Sequence, residues 1–190
     1  GINQVTFNTL SNFTPCAPPA HAVYVPTGNY TTTVQKNSSY VMQVATSDAA
    51  IISVWIDYNQ NGTLDASEWT QVATTTVPNV ASSVIIPIPA TATPGNTLMR
   101  IRSRLTGNAN GSTDPCTSFG SGSSQDYVIT IIPPAPCNGV PVPGNTIASA
   151  TSVCNGSTVN FSLQYPIPGL NVTYQWNNLN GPISGATNTT

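Results

Sequence analysis

Apolar residues in this chain come in runs too short for helices, and Pro, Gly, Asn and Ser separate the runs. That rhythm limits the possible folds more than any other feature. No stretch sustains a 3.6-residue period with helix formers, whereas apolar segments of strand length recur throughout. The reading is all-β: a β-sandwich of jelly-roll-like build. Strands are expected near residues 2–8, 21–25, 29–35, 39–46, 51–58, 68–76, 81–88, 97–105 and 125–132. Pro87, Pro89 and Pro94 read as the end of the strand at 81–88, because proline breaks ladder bonding. Residues 106–124 hold few apolar side chains and read as a long surface loop. Along 97–105 the period of two puts Leu98, Arg100, Arg102 and Arg104 on one face. Met99, Ile101, Ser103 and Leu105 fall on the other. The arginine face reads as solvated; the sharper alternative pairs one arginine with Asp114 or Asp126.

Pro133-Pro134-Ala135-Pro136 marks a domain boundary, since consecutive prolines favour an extended, semi-rigid segment that continues no sheet. The expected organisation is a first domain at 1–132, a linker at 133–136 and a second domain at 137–190. In the second, Val153, Val159, Phe161 and Leu163 alternate with polar residues, and Val172-Thr173-Tyr174-Gln175-Trp176 follows. So short a segment is too little to close a sandwich core, so the second domain is expected to be truncated here.

One stretch carries chemistry. Counted from Asp57, oxygen side chains stand at positions 1 (Asp57), 3 (Asn59), 5 (Asn61), 9 (Asp65) and 12 (Glu68). Gly62 holds position 6, where the chain turns sharply, and Thr63 at position 7 offers its backbone carbonyl. This is the ligand spacing of an EF-hand-type calcium loop, in which alternate positions supply hard oxygens to one ion. The preceding Ile51-Ile52-Ser53-Val54-Trp55-Ile56 is β-branched and aromatic, so the loop is expected to leave a strand, not a helix. The competing reading is a metal-free Asn/Asp/Gly turn. Against it, the loop takes half of the six carboxylates in the chain. Calcium is the expected cofactor.

Composition excludes several functions. Only 5% of the residues are charged, against roughly 25% in ordinary soluble domains. Four Lys and Arg residues make no basic patch for nucleic-acid phosphates. No apolar run is long enough to span a bilayer, so no membrane insertion of this segment is expected. The chemistry of an enzyme is also thin. His21 is the one histidine, and no Gly-x-Ser-x-Gly elbow accompanies it. Outside the loop the carboxylates are Asp48, Asp114 and Asp126, in no telling context for a paired acid and base. The chain is read as non-catalytic. Trp69, directly after Glu68, is the candidate for stacking on a sugar if it proves exposed.

Several segments in order resemble the GEVED domain. Val54-Trp55-Ile56-Asp57-Tyr58-Asn59-Gln60-Asn61-Gly62, with Glu68, resembles that family's VWIDFNQDG…E core. Thr97-Leu98-Met99-Arg100-Ile101-Arg102 resembles its RMRVR strand, and Asp114-Pro115-Cys116 its acidic-Pro-Cys loop. Ser123-Ser124-Gln125-Asp126-Tyr127-Val128-Ile129-Thr130-Ile131 stands where the GEVEDYTVTI segment belongs, with Ser123 and Gln125 in place of two glutamates. Residues 137–190 more weakly resemble an immunoglobulin-like repeat, with Trp176 as its core tryptophan. The resemblance implies a structural or adhesive module of a large secreted or cell-surface protein of Bacteroidetes-type bacteria, exported by the type IX route. Its expected location is extracellular or at the cell surface. Its expected partners are surface or secretion-machinery proteins, or an extracellular glycan. The alternative is a carbohydrate-binding or accessory module attached to a secreted hydrolase or peptidase.

Four cysteines in such a chain favour disulfides in an oxidising compartment. Cys16 and Cys116 share the first domain and are expected to pair. Cys137 and Cys154 are a possible second pair, unless either bonds elsewhere.

Overall fold

A computed structural model describes residues 1–14, 20–118, 120–134, 142–165 and 173–187. The chain divides into two compact units, Gly1–Pro133 and Pro134–Thr190.

The first unit is built from strands β1 (Ile2–Phe7), β2 (Leu10–Phe13), β3 (His21–Val23), β4 (Thr33–Gln35), β5 (Ser38–Thr46), β6 (Ala50–Ile56), β7 (Trp69–Ala73), β8 (Ser82–Ile88), β9 (Gly95–Leu105) and β10 (Ser124–Ile132). Its helical elements are two single 3-10 turns, Gly28–Tyr30 and Ala66–Glu68. A four-stranded sheet runs β2-β1-β5-β8. A six-stranded sheet runs β3-β10-β9-β6-β7, with β4 also on β10. The all-β sandwich is therefore formed. Val5, Phe7, Met42, Val44, Ile86 and Ile88 from the first sheet meet Ile52, Val54, Ile56, Met99, Ile101, Tyr127 and Ile129 from the second in one buried cluster. Each set comes from alternate positions along its strands, as the pleat requires.

Three local differences from the sequence reading have physical causes. The first expected strand forms as β1, but it is one arm of a hairpin whose second arm, β2, lies outside the expected strands. Phe7 pairs with Leu10 across Asn8 and Thr9, and Asn8 supplies the positive φ of 51° that this tight turn needs. The expected strand at 29–35 begins as a 3-10 turn, and only Thr33–Gln35 pairs as a strand. Pro87 does not end β8 but lies inside it, opposite Ser39. β8 is the edge of its sheet, so the missing N–H of the proline faces away from any ladder.

A polar stitch crosses the core. The Tyr127 hydroxyl donates to Gln125 Oε1 at 2.6 Å and accepts from Asn12 Nδ2 at 2.7 Å. All three residues are buried. Gln125 Nε2 reaches the Ile2 carbonyl, and Ser123 Oγ accepts from the Ile2 N–H at 2.8 Å. Ser123, just before β10, and Gln125 within it thus tie the start of β10 to Ile2 of β1.

In the second unit β11 (Thr146–Ala148) pairs with β12 (Phe161–Leu163), and β13 (Asn177–Asn178) with β14 (Gly181–Pro182). None of its described residues is buried. Trp176, expected in a core, is half-buried with its ring centroid 6.2 Å from that of Phe161. Two short ribbons bring too few apolar faces together to enclose it.

Replacing Tyr127 with Phe removes the shared hydroxyl and leaves Gln125 and Asn12 short of partners in the core. The expected loss is about 2 kcal/mol, read as a lower urea midpoint with an unchanged slope.

Candidate functional site

The loop at 57–68 joins two neighbouring antiparallel strands. β6 and β7 pair up to Trp55↔Trp69, and the loop spans the gap beyond them. It leaves a strand, as β-branched residues before Asp57 dictate. Asp57 Oδ1 accepts from Asn61 N at 3.2 Å and Oδ2 from Gly62 N at 3.1 Å. At the far end, Glu68 Oε1 accepts from Asn59 N and Oε2 from Asp65 N, both at 3.1 Å. The two carboxylates so bracket the loop from both sides, and each is only 5% exposed. Asp65 accepts from the amides of Asn59 and Asn61. Gly62 turns the chain at φ +80°.

The chemistry of this donor set fits a hard cation: its groups are oxygens, and two of its carboxylates are buried. Among the described residues no Lys, Arg or His forms an ion pair with Asp57, Asp65 or Glu68. A buried carboxylate without a counter-charge is costly unless something compensates it. The arrangement itself is that of a loop closed by N–H donors. Among the described residues no three His, Cys, Asp or Glu side chains gather as a metal-holding group. Bringing Asn59, Asn61 and Asp65 onto one ion requires the two amides to turn their oxygens inward.

The outer face of the six-stranded sheet corrects the sequence reading most. Arg100, Arg102 and Arg104 are not solvated. Residues 106–118 and 120–123 lie against them, and the guanidiniums bind backbone carbonyls there. Arg100 Nη1 donates to Pro115 O at 3.2 Å. Arg102 donates to the carbonyls of Asp114 and of Thr117, the latter at 2.6 Å, and its Nε to Ser124 Oγ at 3.0 Å. Arg104 donates to Ala109 O at 2.7 Å. From β6 the Ser53 hydroxyl donates to Asn110 O and Trp55 Nε1 to Ser112 O. Trp55 is fully buried, but under this strap and outside the main cluster. Gly122 ends the strap at φ +84°, where a Cβ would stand 2.0 Å from Ser103 O, so only glycine fits.

Asp126 anchors the row. Arg100 Nε and Nη2 grip its two oxygens at 2.7 and 2.6 Å, a two-pronged pair. His21 Nε2 lies 2.9 Å from Oδ2. Burial pushes the Asp126 carboxyl up, but hydrogen bonds from Arg100 and His21 outweigh it and hold the group below the ordinary carboxylate range. The hydrogen bonds to Asp126 push the Arg100 guanidinium up against its partial burial. In Arg102 burial and the neighbouring Arg100 push it down. Asp114 takes no side-chain ion pair here; it accepts from Gly111 N and Thr117 Oγ1.

Other expected residues fall as follows. Trp69 is half-buried, with its indole N–H inside and meeting no acceptor among the described residues; a flat ring open to solvent is not what it offers. Cys116 and Cys154 are exposed. Cys116 Sγ accepts from Arg100 Nη1 at 3.2 Å. Cys16 and Cys137, their expected partners, lie outside the described residues, and no disulfide is formed among the described ones.

The loop after β6, the arginines of β9, the Asp114-Pro115-Cys116 turn and Asp126 of β10 all belong to, or lie against, the six-stranded sheet. Residues 51–130 match the GEVED domain family model. The GEVED segment thus takes in β6 through most of β10. Comparison with curated proteins finds no match. Among solved structures, one described as "Structure of WR4, a C.elegans MSP family member" aligns at 12% identity with a TM-score of 0.31. The alignment covers 68% of this chain and 96% of that one. A likeness this weak carries no argument, and the sandwich rests on the strand order given above.

Two outcomes follow. Arg102→Lys loses the fork that spans Asp114 and Thr117, so the chain should lose about 2 kcal/mol and the amides of 106–123 should exchange faster. For Asp126, whose folded value is depressed, the stabilisation is complete above the unfolded carboxylate value of about 4 and fades as pH falls through the folded one. Asp126→Asn should therefore cost about 2–3 kcal/mol at neutral pH. It should also flatten the acid limb of melting temperature against pH.

Proposed function

We propose that this chain is a non-catalytic, calcium-stabilised structural or adhesive module of a large bacterial secreted or cell-surface protein. A GEVED segment and a β-sandwich fit a module without chemistry of its own. The observation that carries the calcium reading is the charge of the loop: Asp57, Asp65 and Glu68, two of them buried, with no cationic side chain paired to any among the described residues. The ligands are Asp57, Asn59, Asn61, the Thr63 carbonyl, Asp65 and Glu68. Calcium would lock the β6–β7 connection and so the centre of the six-stranded sheet. Export by the type IX route, an extracellular location and surface or secretion partners follow from the family resemblance. They belong to this proposal, as does the Cys16–Cys116 bridge. No helix among the described residues is long and apolar enough to cross a membrane.

The deciding experiment is a thermal melt in calcium and in excess chelator. Extracellular sites need dissociation constants of only about 10⁻⁴–10⁻³ M. Calcium at about a hundred times that constant stabilises the native state by roughly 2.7 kcal/mol, which raises the melting point by about 5–10 °C for a chain of this size. Asp57→Asn and Glu68→Gln should abolish the increment. A melting point indifferent to calcium would remove the metal and leave a turn closed by its own N–H groups.

A further inference from the structure

We infer that Asn61-Gly62 is a site of self-modification, where the backbone amide of Gly62 converts the Asn61 carboxamide to a carboxylate. In the reaction Gly62 N attacks Asn61 Cγ. The N–Cγ bond forms and the Cγ–Nδ2 bond breaks. The amide proton of Gly62 passes through solvent to the departing nitrogen, which leaves as ammonia. Water then opens the cyclic imide at one of its carbonyls, giving aspartate or isoaspartate at position 61. No oxidant or other co-reactant is needed.

Glycine after asparagine favours this ring closure because no side chain crowds the attacking nitrogen. Around Gly62 nothing lies within 4 Å of where a Cβ would stand. The described chain has other such dipeptides, Asn110-Gly111, Asn155-Gly156 and Asn180-Gly181. Asn61 differs in what surrounds its reacting atoms. Its Oδ1 accepts from Thr63 N at 2.8 Å and from Thr63 Oγ1 at 2.6 Å. That oxygen gains negative charge as the tetrahedral intermediate forms, and donors already aimed at it lower the barrier. Asp57 Oδ2 accepts the N–H of Gly62 at 3.1 Å, which orients that group and enriches its nitrogen in electrons. Asn61 and Gly62 are both exposed, so water reaches the imide. Asn110 is the contrast in burial: it is 3% exposed, and the carbonyls of Ile51 and Arg102 hold its amide nitrogen inside, whereas the Asn61 amide meets only the Asp65 carboxylate at the surface.

The product with a normal backbone places a fourth carboxylate in a loop that has three. On the calcium reading, this tightens the site; that consequence rests on the proposal above, whereas the reaction does not. The test holds the purified chain at mildly alkaline pH and body temperature, folded and in guanidinium, and maps its peptides by mass. Asn61 should convert faster in the folded chain than in the denatured one, and Asn110 slower. Thr63→Val, which keeps the shape and removes the hydroxyl donor, should slow Asn61 several-fold in the folded chain. Slower conversion of Asn61 in the folded chain overturns the inference even if calcium binds. Faster folded-state conversion that added calcium leaves unchanged upholds it and counts against the calcium reading alone.

Discussion

The grip of Arg100 on Asp126 is the interaction on which the outer half of the domain depends. A buried carboxylate is tolerated only with its charge answered, and here two nitrogens of one planar group answer both of its oxygens. With Asp126 in place, the β9–β10 pair presents its arginines in a line. Arg102 and Arg104 then spend their donors on carbonyls of the strap. Among its described residues the strap has little apolar surface and no strand or helix of its own, so hydrophobic burial does not hold it. Charge-assisted bonds to its backbone can: Arg100 and Arg104 each take one strap carbonyl and Arg102 takes two, groups that would otherwise lie unpaired against the sheet.

β6 links this face to the candidate cation loop. Its inward residues Ile52, Val54 and Ile56 sit in the core, while Ser53 and Trp55 reach the strap on the opposite side. That double burial explains why the segment reads as an unbroken apolar run instead of an alternating one. The next residue, Asp57, is fixed through its backbone to β9: its N–H bonds Leu98 O and its carbonyl accepts from the Thr97 hydroxyl. The first loop carboxylate is thus placed by the sheet before any ligand is considered, and the loop has only to fold back from a fixed point to Glu68.

Most of this was legible in the sequence where a side chain carries the message. The long strands β5, β9 and β10 lie where short strand-length apolar segments put them, β6 lies where an unbroken β-branched and aromatic run put it, and Asp57 to Glu68 is a loop between strands. What escaped is what backbone carries. Period two separates the face of Arg100, Arg102 and Arg104 from its opposite but does not say what covers it. The cover binds through main-chain carbonyls, which every residue has, so the strap leaves no pattern to read. The hairpin at Asn8-Thr9 escaped for a related reason, since one asparagine at positive φ is a faint signal beside an Asn-Gly pair. In the second unit the alternation at Phe161 and Leu163 produced a strand, yet alternation alone cannot supply a second layer to bury it.

The doubled edge of the six-stranded sheet bears on how the molecule comes into being. β3 and β4 both lie parallel to β10, the former along Ser124–Asp126 and the latter along Thr130–Ile132. His21 meets an aspartate 105 positions later. Two early segments therefore wait for the last strand of the unit, and neither can find its ladder while the chain is still emerging. Closure over such separations is entropically slow, and the half-made sheets meanwhile expose their apolar faces. A nascent copy of this domain stays open until its final strand arrives, so up to that moment its half-made sheets depend on whatever shields their apolar faces from other chains.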